Sequence, residues 1–229
     1  MKEKADDQQL KRALIFCNGE FSAESVPDLK TDDLVICADG GLEHALALGI
    51  KPHVVLGDFD SLSEALRRRL RDKDPAVGAV YEYPVEKDKT DGQIAVEYAV
   101  NQGIREIWLL GGLGGRLDHA LGNVLLGSAL GFEGTLKVLG RGESAVVVKG
   151  PGKLEISGGK GDHVSLIPLS ETCSGVTTAG LYYPLKDEIL YRGDTRGLSN
   201  ELISHSGLVE LAAGLMIVIH TKRQEGLVG

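Results

Sequence analysis

Six short runs rich in β-branched and apolar residues, separated by longer helical patterns, fill the first 145 positions of this 229-residue chain. That alternation constrains the fold more than any other feature. The runs are Ala13–Cys17, Leu34–Ala38, Val54–Leu56, Val77–Tyr83, Ile104–Leu110 and Leu136–Leu139. Strand and helix alternating over such a length predict βαβ units and a mainly parallel sheet. Two capping-box patterns, Ser61-Leu-Ser-Glu64 and Thr90-Asp-Gly-Gln93, each precede apolar residues at helical spacing. Leu62, Ala65, Leu66 and Leu70 follow the first, and Ile94, Ala95, Tyr98 and Ala99 the second. Leu117, Leu121, Val124, Leu125 and Ala129 form a third apolar stripe on a helix predicted to start near Arg116. Gly49, Gly103 and Gly131 stand where helix C-termini need a left-handed residue.

From about Gly140 the period changes. The runs Ala145–Val148, Val164–Ile167, Gly175–Thr178, Glu188–Tyr191, Leu208–Leu211 and Leu215–His220 are short and broken by Gly, Ser, Asn and Pro clusters. Strands at this spacing predict an antiparallel sandwich or barrel. The expected architecture is therefore an α/β domain over residues 1–142 followed by an all-β sandwich over 143–229.

Lys+Arg 25 against Asp+Glu 33 leaves a net charge of −8, nearly all of it in the first 145 residues. A non-specific nucleic-acid or anionic-membrane binder carries the opposite sign, which argues against both as partners. No apolar run reaches the ~18 residues of a membrane span, and the first ten residues lack the apolar core of a signal peptide. Three cysteines (Cys17, Cys37, Cys173) without metal-ligand spacing suit a reducing compartment. The expectation is a cytoplasmic protein.

The chemistry gathers after the strands of the first half. Asp39-Gly-Gly41 follows the second run, Gly57-Asp-Phe-Asp-Ser61 the third, Glu86-Lys-Asp-Lys-Thr-Asp91 the fourth, and Gly111-Gly-Leu-Gly-Gly-Arg-Leu-Asp-His119 the fifth. In an open parallel sheet the carboxyl ends of the strands share one edge, where ligands bind. Asp39, Asp58, Asp60, Asp88, Asp91 and Asp118 are thus expected to converge. Any one of them alone reads as a cap or turn residue. Together they repel one another, and a hard divalent cation such as Mg²⁺ relieves that repulsion. Asp58-Phe-Asp60 places two carboxylates within reach of one ion while Phe59 points elsewhere, and reads as a metal site.

The Gly111–Gly115 segment admits two readings: a tight strand-to-helix turn, or an anion cradle of backbone N–H groups at a helix start. Arg116 in the first turn opposes the helix dipole unless an anion lies beside it; with Asp118 and His119 it favours the cradle. The chain has no G-x-x-x-x-G-K-[ST] loop, and Asn18-Gly19-Glu20 follows the first strand where a dinucleotide fold has G-x-G-x-x-G. His44, His53, His163, His205 and His220 are scattered and read as surface or packing residues, and Arg67–Arg71 as a solvated helix face. Arg192-Gly-Asp-Thr-Arg-Gly-Leu-Ser-Asn-Glu201 reads, on its residues alone, as a hairpin loop.

Taken together, Ala38-Asp-Gly-Gly41, Gly57-Asp-Phe-Asp-Ser61, Lys87-Asp-Lys-Thr-Asp91, Gly112-Leu-Gly-Gly-Arg-Leu-Asp-His119 and Leu198-Ser-Asn-Glu201 closely resemble, in order, the motifs of the thiamine pyrophosphokinase family. The resemblance runs from near residue 13 to about 220. It implies an α/β nucleotide-binding domain, a β-sandwich that helps to bind thiamine, and a homodimer with active sites between the two kinds of domain. It further implies that Asp58, Asp60 and Asp91, with Asp88 beside them, hold Mg²⁺ and form the catalytic centre. Asp39, Gly40, Gly112, Gly114, Arg116, Asp118 and His119 match the ATP site. Asp39 and Lys87 match positions near thiamine, and Ser199 and Asn200 would reach thiamine from the partner subunit. Animal members place a tryptophan beside thiamine in the β domain; Trp108 here falls in an α/β strand, leaving Tyr182, Tyr183 and Tyr191 as candidates. The implied reaction converts ATP and thiamine to AMP and thiamine diphosphate. A metal-dependent phosphohydrolase and a non-enzymatic nucleotide or thiamine sensor are the alternatives.

Overall fold

The computed structural model describes residues 10–129 and 134–223, so Gly131 lies outside the described residues. The chain divides into two compact units, one ending at Arg141 and the other beginning at Gly142.

The first unit contains β1 (Arg12–Phe16), β2 (Asp33–Ala38), α1 (Gly41–Ala47), β3 (Val54–Gly57), α2 (Glu64–Arg71), β4 (Ala79–Glu82), α3 (Asp91–Asn101), β5 (Glu106–Leu110), α4 (Leu117–Ala129) and β6 (Thr135–Leu139). All six expected strands form. Their order is β6-β5-β1-β2-β3-β4, and every neighbouring pair is parallel. The chain steps outward from β1 to β4, then returns so that β5 pairs with the free side of β1. That reversal opens a crevice at the carboxyl ends of β1 and β5, where parallel sheets bind ligands.

Helices cover both faces of the sheet, so β1, β2 and β3 are buried along their whole lengths. Leu14, Phe16, Val35, Cys37 and Val55 pack with Leu42 and Ala45 of α1 and Leu70 of α2. Alternate residues such as Ile15 and Ile36 are also fully buried, and α3 packs on β1, β2 and β3 with Ala95, Val96 and Ala99 buried. Each large apolar side chain buried in this way contributes ~1.5–3 kcal/mol. The edge strand β4 is exposed throughout.

Helix starts follow local chemistry. Thr90 Oγ1 accepts from the Gln93 N–H at 3.2 Å, as its capping pattern predicts. At α2 the cap is Ser63, whose Oγ accepts from the Leu66 N–H at 3.4 Å. Ser61, the expected cap, instead donates its hydroxyl to Asp39 Oδ2 at 2.5 Å, because a tertiary carboxylate competes for it. Gly49 and Gly103 are left-handed (φ 70° and 79°) just beyond α1 and α3, where the glycine signals placed them. The α4 stripe divides: Val124 is buried, whereas Leu117, Leu121 and Leu125 are exposed. Arg68, Arg69 and Arg71 pair with Asp72, Asp74 and Glu64 on an exposed helix face, a solvated surface as read.

The second unit contains β7 (Glu143–Lys149), β8 (Gly152–Ser157), β9 (His163–Pro168), β10 (Thr172–Ala179), β11 (Glu188–Tyr191), β12 (Asn200–Glu201), β13 (Ser206–Leu211) and β14 (Leu215–Thr221). They pair antiparallel in the orders β12-β9-β14-β7 and β11-β10-β13-β8. Inward residues of both sets, including Val146, Val164, Val176, Leu190, Val209 and Met216, form one hydrophobic cluster. Two strands lack an expected counterpart. The residues of β8 alternate partly buried and exposed with only Ile156 fully inside, and the two residues of β12 are a strand solely through pairing with β9. Among the described residues no helix is long and apolar enough to cross a membrane.

Candidate active site

The site is made of the segments that leave the strands. The backbone ladder extends past the strand ends: the Cys17 N–H donates to the Leu110 carbonyl at 2.8 Å, and the Asp39 N–H to the Leu56 carbonyl at 2.8 Å. Two close approaches demand glycine. A Cβ on Gly19 would lie 2.2 Å from the Gly111 carbonyl oxygen, so the loops after β1 and β5 touch only without side chains there. Gly57 (φ 150°) brings the end of β3 against Asp39. The result is an open cleft of about 600 Å³ lined by Asn18, Asp39, Lys87, Asp88, Asp91, Gly112, Gly114, Arg116 and His119, with Cys17 and Asn123 at its wall.

Phe59 explains how the aspartates after β3 face one way. Its ring is buried in the core, and its backbone is left-handed (φ 61°). The Asp60 N–H donates to Asp58 Oδ1 at 3.3 Å, closing the turn. Asp39 is left-handed as well (φ 45°), as is Ser199 (φ 55°). Such backbone costs ~1–3 kcal/mol per residue and collects at functional sites.

Carboxylate oxygens of Asp39, Asp58 and Asp60 come within 4.8 Å of one another. Asp91 stands across Lys87, whose Nζ donates to Asp58 Oδ2 at 2.8 Å and sits 3.2 Å from Asp91 Oδ1 in an ion pair. The electrostatics are uneven. The Lys87 hydrogen bond holds the Asp58 carboxyl below the usual range, against the effect of burial. Contact with Asp58, then its charge, pushes exposed Asp60 up. Burial pushes Asp91 up despite the pull of Lys87, and the Lys87 ammonium is held above its usual value although burial opposes this. Asp39 Oδ1 is buried with no hydrogen-bond donor among the described residues. An orphaned carboxylate oxygen beside clustered hard oxygen donors fits Mg²⁺.

The sequence-derived residues separate into three groups. Asp39, Asp58, Asp60, Lys87 and Asp91 form one connected cluster, with Asp88 on the cleft wall. In the glycine-rich turn, Gly111, Gly114 and Gly115 are left-handed (φ 71°, 87°, 67°), and Gly112, Gly114, Arg116 and His119 line the cleft. Gly40, Asp58, Asp60 and Asp118 do not line it, although Asp58 and Asp60 adjoin it through Asp39 and Lys87, which do. Gly40 packs against the Asn18 side chain, and Asp118 is taken by Arg116 at 2.6 and 3.1 Å and by the His119 N–H at 3.0 Å. The anion that Arg116 needed is Asp118. Ser199 and Asn200 belong to the second unit. Ser199 is exposed and its N–H donates to Ser165 Oγ. The Asn200 carboxamide is already engaged: Oδ1 accepts from the Tyr183 and Glu201 N–H groups, and Nδ2 donates to the Tyr183 carbonyl at 2.7 Å. Sequence reasoning missed Asn18, which follows β1 as the other site segments follow theirs. It also missed Asn123, whose Nδ2 donates to the Gly112 carbonyl at 2.9 Å; inside an apolar stripe Asn123 gave no signal.

Acidic side chains at the carboxyl ends of parallel strands, opposite a glycine-rich turn that opens a helix, define an enzyme class that handles phosphate groups. Comparison with known proteins narrows the class. Residues 28–135 match the family model described as thiamin pyrophosphokinase, catalytic domain, and residues 153–216 match thiamin pyrophosphokinase, vitamin B1 binding domain. Thiamine pyrophosphokinase of Bacillus subtilis (strain 168) is 35% identical over 202 residues, covering 86% of this chain and 92% of that protein. The crystal structure of thiamine pyrophosphokinase from Bacillus subtilis superposes with a TM-score of 0.79 at 31% identity, covering 93% of this chain and all of the other. That from Geobacillus thermodenitrificans gives 0.76 at 33% identity, with 94% and 99% covered. The chain belongs to the thiamine pyrophosphokinase family, the diphosphotransferases.

Proposed function

We propose that this protein transfers a pyrophosphoryl group from Mg·ATP to the hydroxyl of thiamine, giving thiamine diphosphate and AMP. The observation that carries this reading is the meeting of family motifs from four separate loops around one cleft in a chain of that family. The thiamine oxygen attacks the β-phosphorus, an O–P bond forms, and the bond from that phosphorus to the α–β bridging oxygen breaks as AMP leaves. Mg²⁺, held by Asp58 and Asp60 with Asp39 or Asp91 completing its oxygen set, supplies charge neutralisation and Lewis-acid polarisation of phosphate oxygens when bound.

The protein's own part is positioning. The Gly112 and Leu113 N–H groups are taken by the Leu139 carbonyl, so the N–H groups of Gly114 and Gly115, with His119 and with Arg116 once it exchanges Asp118 for phosphate, are read as the grip on the remaining phosphates. Asp91 is read as the acceptor of the hydroxyl proton in preference to Asp88, because burial raises its basicity. The acidic surroundings also suit a thiazolium cation.

Finer assignments rest on family resemblance. The first unit is read as the nucleotide-binding domain and the second as a β-sandwich that helps to hold thiamine. Asn200 fastens the backbone of Tyr183, and Tyr182 and Tyr183 are exposed and stacked edge to face at 4.8 Å; this supports them over Tyr191 as the aromatic surface for thiamine. The exposed Leu117, Leu121 and Leu125 support a homodimer, its sites shared between subunits and Ser199 contributed by the partner. Cytoplasmic location is part of the same reading.

An assay for AMP with ATP, Mg²⁺ and thiamine tests the reaction, repeated with Asp58→Ala. Phosphate release without need of thiamine indicates the phosphohydrolase, and ligand binding with ATP left intact indicates the sensor. Mixing inactive Asp58→Ala and Ser199→Ala proteins tests the shared site, since it restores activity when each site draws on two subunits.

A further inference from the structure

We infer that Lys87 is a mobile counter-cation: it holds the metal-free cleft together by neutralising Asp58 and Asp91, and it is released to the nucleotide's phosphates when Mg²⁺ takes Asp58. The inference rests on the pyrophosphoryl-transfer reading of the cleft. Its basis is the position of one ammonium. Lys87 Nζ lies between the two carboxylates at 2.8 and 3.2 Å, with the Pro84 carbonyl at 3.1 Å. The side chain is only 14% exposed. Asp58 thus belongs at once to the Lys87 pair and to the oxygen cluster with Asp39 and Asp60. A divalent ion and an ammonium sharing that carboxylate repel each other, so Mg²⁺ entry weakens the hold on Lys87.

The departing ammonium has somewhere to go. Lys87 lines the same cleft as the Gly112–Arg116 turn, and lysine carries its charge on a flexible stem that serves as a point charge for phosphate. Each partner of the exchange is then satisfied twice. Without ligand, Lys87 lowers the repulsion among aspartates. With Mg·ATP, the metal does so, and Lys87 meets the charge spread over the transferred group.

Titration of nucleotide-free protein with Mg²⁺ alone, followed by calorimetry, separates this role from a plain binding or structural one. Lys87→Met is expected to bind Mg²⁺ about tenfold more tightly than the parent, because a competing positive charge is gone, while kcat falls and Lys87→Arg retains parental Mg²⁺ affinity. Unchanged or weaker Mg²⁺ binding by Lys87→Met overturns the inference. Parental protein offers a check that needs no variant. Reductive methylation of Lys87, read by mass spectrometry, is expected to quicken on adding Mg²⁺ and to slow again with a non-hydrolysable ATP analogue. A Lys87 reactivity indifferent to Mg²⁺ also overturns it. Tighter metal binding by Lys87→Met in a protein that makes no AMP from thiamine and ATP would leave this inference standing and remove the proposed reaction instead.

Discussion

The two ends of β2 each carry an aspartate, and the two are treated in opposite ways. At the amino end, buried Asp33 receives a two-pronged pair from Arg12, Nε to Oδ1 at 2.9 Å and Nη2 to Oδ2 at 2.7 Å, and a further bond from the Lys30 N–H. Arg12 also donates to the Asp28 carbonyl and lies over the Trp108 ring. Every charge there has its complement. Just past the carboxyl end, Asp39 has a left-handed backbone, an oxygen without a donor among the described residues, and two other carboxylates crowding it. One end is satisfied by its own residues; the other leaves an oxygen of Asp39 for something else to meet. The difference marks which end works.

The largest effect is expected from removing a carboxylate at the working end. Asp58→Ala should lower AMP formation on the order of a thousandfold, with only a small fall in melting temperature, because Lys87 keeps Asp91 and the Pro84 carbonyl as partners. A collapse in melting temperature would abolish the contrast. Next comes the opposite end. Arg12→Ala leaves Asp33 buried without its partner and should cost ~3–5 kcal/mol of unfolding free energy in denaturant titration, while kcat per folded molecule is retained. A smaller effect sharpens the comparison: Asp39→Asn removes one repelling charge, so metal-free protein should melt on the order of 2 °C higher while turnover falls.

The smallest effect is in pH dependence. For Asp33, burial would raise the carboxyl, but Arg12 and the Lys30 N–H outweigh it and hold its pKa below the ordinary value. Its stabilisation is fully present above the unfolded value of about 3.9 and is lost as pH falls through the lower folded value. Asp91 has the opposite sign, since burial raises its pKa. Between about pH 3.9 and that raised value the folded state binds more protons, so acidification there stabilises. As pH is lowered, the melting temperature of metal-free protein should rise slightly and then fall, and Asp91→Asn should shrink the rise, leaving the part contributed by Asp60, which is also pushed up.

Much of this was legible along the chain because its causes are local. A capping hydroxyl three residues ahead of its amide placed α3, glycines past the helices placed their ends, and apolar runs placed all six parallel strands. The misses were non-local. Ser61 was drawn from its capping role by Asp39, 22 residues away. Leu117, Leu121 and Leu125 kept helical spacing and still stayed exposed, since periodicity shows that a face is apolar and not what covers it. Asp118 satisfied Arg116, two residues back, and did not join the cleft.

Composition and spacing by themselves determined that acidic and glycine-rich loops would follow parallel strands, because strand and helix periods are properties of neighbouring residues. Which loops would meet was decided by the tertiary structure. Pairing β5 with β1, across about ninety intervening residues, set Gly111 against Gly19 and opened the crevice that Asp39, Lys87 and Asp91 line. No local rule carries that strand order, because it follows from covering both faces of a twisted sheet at once.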